Sequence, residues 1–153
     1  MVKSTHIFFW QGCCILLDVM GQENKESISL LNHYSGQIID AALKVHTKLG
    51  PGLLESVYEA CLVYELEHRG LDVRTQVGLP VKYESIEKEV GYRVDLIVQN
   101  AVIVELKAVE NIRSVHKSQL LSYLKMSGLR IGLLLNFNTT SLRDGIHRIV
   151  DGL

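Results

Sequence analysis

The chain has 153 residues and a mass of 17.2 kDa; apolar residues make up 47%, charged residues 22%, and the formal net charge is -1. This apolar content, the 2 prolines and the charges of both signs exclude a disordered, collagen-like or fibrous protein. The near balance of 16 basic against 17 acidic residues excludes a general coat of positive charge and leaves room for one local basic groove. We therefore expect one globular domain with a single core.

Cysteine and histidine usage argues against disulfides and zinc. Cys13 and Cys14 are adjacent, which makes them poor disulfide partners for each other, and Cys61 is the third cysteine. The sequence has no Cys-x-x-Cys pair, and its 6 histidines are scattered. A reducing compartment fits this usage best, so we expect a cytoplasmic protein without a zinc site.

The first 25 residues differ in character from the rest. Residues 7–17 are apolar and follow Lys3, as in the middle of a signal peptide, but this run is shorter than the roughly 20 residues that span a bilayer. No small-residue cleavage site follows it. We expect residues 1–25 to be an atypical extension, either an extra strand or the product of a start upstream of a natural one at Met20. Residues 26–153 then form the domain.

Helical periodicity begins at Tyr34. Apolar side chains recur at spacings of three and four until Gly50-Pro51-Gly52, which ends the first helix. The same spacing from Leu54 to Leu66 predicts a second helix, and Gly70 is a suitable C-terminal cap for it.

The period then changes to two, which is typical of strands. Residues 73–77 alternate, and Pro80 limits residues 79–83 to an edge or irregular strand. The polar residues 84–89 predict a turn.

The C-terminal part contains further apolar runs and helical patterns. We predict, in chain order, a hairpin of residues 92–98 and 102–109, a helix from Asn111 to Gly128, a buried strand over residues 130–137 and an amphipathic helix over residues 142–150. This order predicts an α/β (α+β) fold with a mixed β-sheet flanked by helices.

Three charged side chains interrupt the two most apolar strands. Asp95 lies in the first strand of the hairpin, and Glu105 and Lys107 lie in the second. Burying an ion without compensation is costly, so charges in such strands need partners or a metal. Because side chains alternate, Glu105 and Lys107 share one face of the strand while Leu106 points to the other.

The length of the hairpin loop decides whether Asp95 joins that face. A two-residue loop at Gln99-Asn100 would place Asp95 on the opposite face, whereas a three-residue loop with Asn100 in the left-handed conformation brings the three charges together. Two interpretations then remain open. Lys107 neutralises the two acids as a salt-bridged strand face, or the acids hold a divalent metal, for which such oxygen ligands suit Mg²⁺ or Mn²⁺.

The order of these residues resembles a known family. Asp95 followed by Glu105-Leu106-Lys107 resembles the PD-(D/E)XK nuclease signature, and residues 119–123 resemble the Q-x-x-x-Y motif of its RecB-like branch. Residues 52–58 (GLLESVY) resemble the motif of the GxxExxY proteins, a small bacterial and archaeal group in that superfamily. The resemblance covers about residues 34–153, and it departs at Val94, where the superfamily's name has proline.

The resemblance implies a restriction-endonuclease-like αβββαβ core. In such a core Asp95 and Glu105 bind the metal, assisted by the backbone carbonyl of Leu106. Lys107 orients or helps to deprotonate the attacking water and stabilises charge that develops on the phosphate.

Four further residues are candidates for the site. Glu55 is a candidate ligand of metal or water, and it is equally an acid that the dipole favours near a helix start; Glu59, one turn further on, is its substitute. Gln119 would hold site groups or the scissile strand by hydrogen bonds. Tyr123 would support Gln119, contact a phosphate, or only pack in the core.

The resemblance thus implies a hydrolase, a Mg²⁺-dependent (or Mn²⁺-dependent) nuclease that cuts phosphodiester bonds in DNA, without a membrane partner. Arg93, Lys117 and Tyr123 are the candidates for contact with nucleic acid, and a solvated helix face is the alternative for Lys117. One alternative function is a nuclease-fold module that binds nucleic acid or a partner protein without cutting it. Another is an assembly protein whose charged face is structural. The oligomeric state stays open, with a homodimer among the alternatives.

Overall fold

The computed structural model describes the backbone of residues 11–152 and the side chains of residues 27–81, 84–86 and 91–152. The chain divides into two units, Met1–His33 and Tyr34–Leu153, and the sheet belongs to the second. The elements are α1 (Gln11–Leu49), α2 (Glu55–His68), β1 (Val73–Tyr83), β2 (Ile86–Val98), β3 (Val102–Lys107), α3 (Ser114–Ser127), β4 (Ile131–Asn136), the 3-10 helix η1 (Leu142–Gly145) and β5 (Ile146–Val150).

The N-terminal extension is helical from Gln11 onward, as the first part of α1. The extra strand is therefore wrong for residues 11–25, and residues 1–10 lie outside the described residues. The upstream start and the boundary near residue 26 stay predictions.

The two N-terminal helices agree with the predicted spacing. Within α1 the buried apolar residues are Ile38, Ala41, Ala42 and Val45. The helix ends where Gly50, at φ 69°, donates its N–H to the carbonyl of His46 at 2.8 Å. α2 ends before Gly70, which also has a positive φ of 76°.

The five strands form one mixed sheet in the order β1-β2-β3-β4-β5. β3 and β4 are parallel and are joined by α3, and the other neighbours are antiparallel. α3 packs on β4 where Gly132 leaves room for Leu120; a Cβ there would lie 2.8 Å from that side chain. The order from α2 to β4 is αβββαβ, so the predicted mixed sheet with helices and the restriction-endonuclease-like core are confirmed.

β1 is the outermost strand on its side of the sheet, as predicted from its proline. Pro80 lies at the register shift between Leu79 and Val81, where a residue without an N–H is tolerated. The turn predicted for residues 84–89 is too long, because β2 already begins at Ile86. The first part of β2 pairs with β1, and the pairing with β3 begins at Leu96.

The β2–β3 hairpin has the three-residue loop. Val98 pairs with Val102, and residues 99–101 connect them. Asn100 is left-handed at φ 49°, as the three-residue alternative requires, and Gln99 is left-handed as well at φ 55°. β3 ends at Lys107, two residues before the predicted end.

The helix predicted for residues 142–150 is wrong. Leu142–Gly145 forms one 3-10 turn, and Ile146–Val150 forms β5, antiparallel to β4. The apolar spacing fits a helix, but β-branched residues follow Gly145 and pair with the edge of β4. This pairing satisfies backbone groups that a buried edge would leave without partners.

Within the described residues, no helix combines the length and the apolar character that crossing a membrane requires. The cytoplasmic location inferred from the cysteines stays a prediction.

The contact between η1 and β4 yields a stability prediction. A Cβ at Gly145 would lie 2.3 Å from the carbonyl oxygen of Asn136, so we expect Gly145→Ala to lower the free energy of unfolding by about 1 to 3 kcal/mol. As a control, Gly36→Ala in α1 meets nothing within 4 Å and should raise it by about 0.5 to 1 kcal/mol. Urea unfolding followed by circular dichroism measures both, and a neutral Gly145→Ala would contradict the close approach.

Candidate active site

Glu105 and Lys107 lie on one face at the C-terminal end of β3. The side chain of Glu105 is only 4% exposed, and Lys107 Nζ donates to its Oε1 at 2.9 Å. β3 is a central strand of the sheet, and the Glu105 carboxylate is buried against its face. Its charge therefore depends on a few near neighbours rather than on bulk water.

Asp95 reaches the same place from β2. Its Oδ2 accepts a hydrogen bond from the backbone N–H of Leu106 at 2.8 Å. Asp95 is close enough to Glu105 for the two charges to interact. The structure thus brings Asp95, Glu105 and Lys107 together, and we call these three residues the acid–lysine cluster.

The pKa values of the two acids reflect burial and mutual repulsion. Burial and, after it, the charge of Asp95 raise the pKa of Glu105 to about 7, although the contact with Lys107 opposes both effects. Burial also raises the pKa of Asp95, which the N–H of Leu106 and the charge of Lys107 partly offset. Near neutral pH the metal-free cluster therefore holds a proton part of the time.

The pKa of Lys107 moves so that its charge is retained. Burial lowers it, but the hydrogen bond to Glu105 and the charges of Glu105 and Asp95 outweigh that effect and raise it above 10.5. Lys107 is therefore an ammonium group at neutral pH.

One observation indicates that the acid–lysine cluster could bind a hard cation. Glu105 Oε2 is buried and has no hydrogen-bond partner, which is costly for a carboxylate unless a cation completes it. No group of three or more His, Cys, Asp or Glu side chains with metal-binding geometry occurs among the described residues. Two carboxylates nevertheless fit Mg²⁺, which usually keeps several waters and binds one or two carboxylates.

Glu55, the first residue of α2, faces the end of β3. Its Oε1 accepts a hydrogen bond from the N–H of Ala108 at 3.0 Å, and its charge acts on Asp95 and Lys107. Glu55 thus lies beside the acid–lysine cluster, although one of its oxygens is already used by the backbone after β3.

Tyr58 explains how Glu55 is placed, and sequence reasoning assigned it no role. Its hydroxyl donates to the carbonyl of Gly50 at 2.7 Å and accepts from the N–H of Leu53 at 3.1 Å. Its ring stacks on Phe137 with centroids 4.4 Å apart. Tyr58 therefore closes the loop between α1 and α2 and fixes the start of α2. Its place in the quoted motif, one turn after Glu55, was the available signal.

Asn136 at the end of β4 was also missed. Its Oδ1 accepts from the N–H of Val109 at 3.1 Å and its Nδ2 donates to the carbonyl of Val109 at 2.8 Å. The side chain thus holds the chain that leaves β3 after Lys107. The signal was a polar residue at the end of an apolar strand, which local pattern does not distinguish from a surface residue.

Gln76 was missed as well, and it connects two acids. Its Nε2 donates to Glu59 Oε2 at 2.8 Å, and its amide lies close enough to Asp95 to lower the pKa of that carboxyl. Burial raises the pKa of Glu59, the bond from Gln76 lowers it, and the charge of Asp95 raises it again. Glu59 is therefore a neighbour of the acid–lysine cluster, to which Gln76 connects it, and is not a member of the cluster.

Gln119 and Tyr123 lie one turn apart on α3, beside the cluster. Gln119 Nε2 donates to the hydroxyl of Tyr123 at 2.7 Å, and the Tyr123 side chain packs in the core. Burial, followed by the charge of Glu105, raises the pKa of Tyr123 to about 12. A groove of about 320 Å³ runs along this helix and includes the exposed ring of Tyr92.

Arg93 and Lys117 are exposed and are not part of the cluster. Lys117 acts electrostatically on His147 of β5. Among the described side chains, neither cation forms a salt bridge with Asp95 or Glu105.

An αβββαβ core with two acids and a lysine at adjoining strands defines a nuclease fold of the restriction-endonuclease type. A family model for the PD-(D/E)XK nuclease superfamily matches residues 32–149, so the chain belongs to that superfamily. No curated protein and no solved structure gives a significant match. The match does not extend to the GxxExxY group or the RecB-like branch, which stay predictions.

The raised pKa of Glu105 predicts how metal-free stability depends on pH. The folded-state pKa of about 7 lies above the ordinary 4.5, so the stabilising contribution of protonated Glu105 is complete below 4.5 and is lost as pH rises through 7. Glu105→Gln should therefore gain stability relative to the natural protein between pH 5 and pH 8, by up to about 3 kcal/mol. Urea unfolding with a chelator at several pH values measures this, and a pH-independent difference would contradict it.

Proposed function

We propose that the protein is a metal-dependent nuclease that hydrolyses phosphodiester bonds in DNA, with Mg²⁺ or Mn²⁺ as its ion. The observation that supports this proposal most directly is the buried carboxylate of Glu105, which lies beside Asp95. Its Oε2 has no hydrogen-bond partner, and its Oε1 accepts from the ammonium group of Lys107. Membership of the PD-(D/E)XK nuclease superfamily supports this activity.

In this proposal Asp95 and Glu105 hold the ion, with the backbone carbonyl of Leu106 as a further ligand. When bound, the ion supplies Lewis-acid activation of the phosphate and of water. Glu55 stands next to these ligands, and we assign it to a metal-bound or attacking water rather than to direct coordination, because the N–H of Ala108 already occupies one of its oxygens.

Lys107 stabilises negative charge on the phosphate. Its raised pKa keeps it protonated, which favours this role over removal of a proton from water. Its side chain is 16% exposed, so it lies between the buried acid and solvent, where a phosphate would arrive. Charge stabilisation of this kind is commonly worth 10² to 10³ in rate, by order of magnitude.

Gln119, Tyr123, Arg93 and Lys117 complete the proposed contacts with the nucleic acid. The Gln119 amide is oriented by Tyr123, which leaves its carbonyl oxygen for a site group or the substrate. The adjoining groove with Tyr92 offers an aromatic face to a nucleotide next to the scissile phosphate. Arg93 and Lys117 would contact phosphates farther from the cluster.

We also propose the narrower assignment to the GxxExxY group. In residues 52–58 the glutamate contacts the backbone after β3 and the tyrosine closes the preceding loop. These two contacts support a part for both side chains in placing α2 against the site.

A second candidate function is a module that keeps the fold and binds nucleic acid or a partner protein without cutting. One observation favours it: the described residues include no third acid in metal-binding geometry with the pair. The two functions differ in whether metal-dependent cleavage is detectable.

Removing the lysine tests catalysis. We expect Lys107→Ala to reduce the cleavage rate of single- and double-stranded DNA by about 10² to 10³ because the phosphate loses its charge partner, while the fold is retained. Lys48→Ala, which removes an exposed lysine of α1, is the matched control and should cleave normally. Cleavage with Mg²⁺ or Mn²⁺ on labelled oligonucleotides measures both. Unchanged cleavage by Lys107→Ala would refute its role, and no cleavage by the natural protein would favour the binding module.

Metal should stabilise the folded protein through the two acids. A ligand at one hundred times its Kd raises stability by about 2.7 kcal/mol if it binds only the folded state. Mg²⁺ or Mn²⁺ should therefore raise the melting temperature of the natural protein, and the Asp95→Ala, Glu105→Ala double variant should lose most of the gain. Differential scanning fluorimetry with and without metal measures the shift; equal shifts in both proteins would place the ion elsewhere.

A further inference from the structure

Gln76 adopts a backbone conformation that is unusual inside a strand. It lies in β1 with φ 51°, between the pairs Thr75–Leu96 and Val77–Val94, and therefore opposite Asp95. Residues other than glycine rarely adopt positive φ, and such residues concentrate at functional sites. The unfavourable conformation thus lies directly across from one member of the acid–lysine cluster.

In β2, the strand opposite Gln76, the alternation of side chains between the two faces of the sheet is interrupted at the same point. Val94 and Ile97 belong to one core cluster with Tyr123, although residues three apart in a regular strand point to opposite faces. The alternation of β2 is therefore interrupted between them, at Asp95. The interruption accompanies the turn of Asp95 toward the N–H of Leu106.

The side chain of Gln76 links Asp95 to a third element. Its amide nitrogen donates to Glu59 Oε2 of α2 at 2.8 Å, and the same side chain lies close enough to Asp95 of β2 to lower the pKa of that carboxyl. Glu59, partly buried and fixed on a helix, therefore anchors the amide that lies beside Asp95.

We propose that Gln76 is a positioning residue, which holds Asp95 in the metal-binding arrangement through its left-handed backbone and through the amide anchored on Glu59. This inference rests on the proposed function, because it assumes that Asp95 and Glu105 bind a divalent ion. Gln76 itself touches neither the ion nor the substrate. Partners that orient metal ligands typically contribute about 10- to 100-fold to metal affinity.

The test removes or shortens the amide side chain while the left-handed backbone conformation is kept. Gln76→Gly keeps the positive φ, which glycine adopts freely, and removes the amide. Gln76→Asn keeps an amide but shortens the side chain, and asparagine tolerates the left-handed conformation. Gln99→Gly is the matched control, because Gln99 has the same residue type and a similar φ of 55°, in the β2–β3 loop. Mn²⁺ affinity by isothermal titration calorimetry and the metal-free melting temperature are measured for each full-length chain.

We expect both Gln76 variants to bind Mn²⁺ about 10- to 100-fold more weakly than the natural chain, with Gln99→Gly unchanged. The metal-free melting temperature of Gln76→Gly should stay the same or rise, since a strained conformation is relieved. Natural affinity in both Gln76 variants, or equal weakening in Gln99→Gly, would overturn the inference. If the natural chain binds no Mn²⁺, the metal site itself fails, and this inference fails with it.

A double-variant cycle tests the anchor. Glu59→Ala should weaken Mn²⁺ binding in the natural background but not in Gln76→Gly, because the anchor acts only through the amide. A loss of the same size in both backgrounds would show that Glu59 acts by its charge alone, and would overturn the bridging role of Gln76.

Discussion

The buried carboxylate of Glu105 is the constraint on which the rest of the site depends. A charge at this depth is unfavourable unless opposite charge or hydrogen-bond donors surround it, and here Lys107 satisfies only one oxygen. The second acid adds repulsion instead of relief. The surrounding sheet offsets this cost, because the buried apolar side chains of β3 and β4 hold Glu105 in place. The site thus places an unfavourable buried charge within a well-packed apolar part of the sheet.

Backbone hydrogen bonds after β3 keep this arrangement in register. Glu55 accepts a hydrogen bond from the N–H of Ala108, and Asn136 accepts from the N–H of Val109 and donates to its carbonyl. The N–H of Phe137 donates to the carbonyl of Lys107. Three elements that are distant in sequence therefore meet where the strand leaves the sheet. Since Lys107 is the last residue of β3, these contacts also fix the backbone from which its side chain extends.

Local sequence pattern could predict the main elements but not their irregular joints. A two-residue and a three-residue β2–β3 loop would place Asp95 on opposite faces of the sheet, so the sequence left these two alternatives. The structure has the three-residue loop, with Asn100 in the left-handed conformation. The C-terminal residues 142–150 carried a helical spacing, and their pairing with β4 overrode it. Gln76 and Asn136 could not be found, because their partners lie 17 and 27 residues away and their own neighbours show no distinct pattern. Whether the candidate residues perform their assigned chemistry stays a prediction.

The irregularities of β1 also affect whether another molecule can pair with this edge of the sheet. An outermost strand offers unpaired backbone groups along which another chain can add. In β1 that line is broken twice, by the left-handed Gln76 and by Pro80, which has no N–H to offer. A strand from a second molecule could therefore match only short stretches between these points. The distortion that accompanies the placement of one carboxylate thus also discourages sheet-to-sheet aggregation at high concentration.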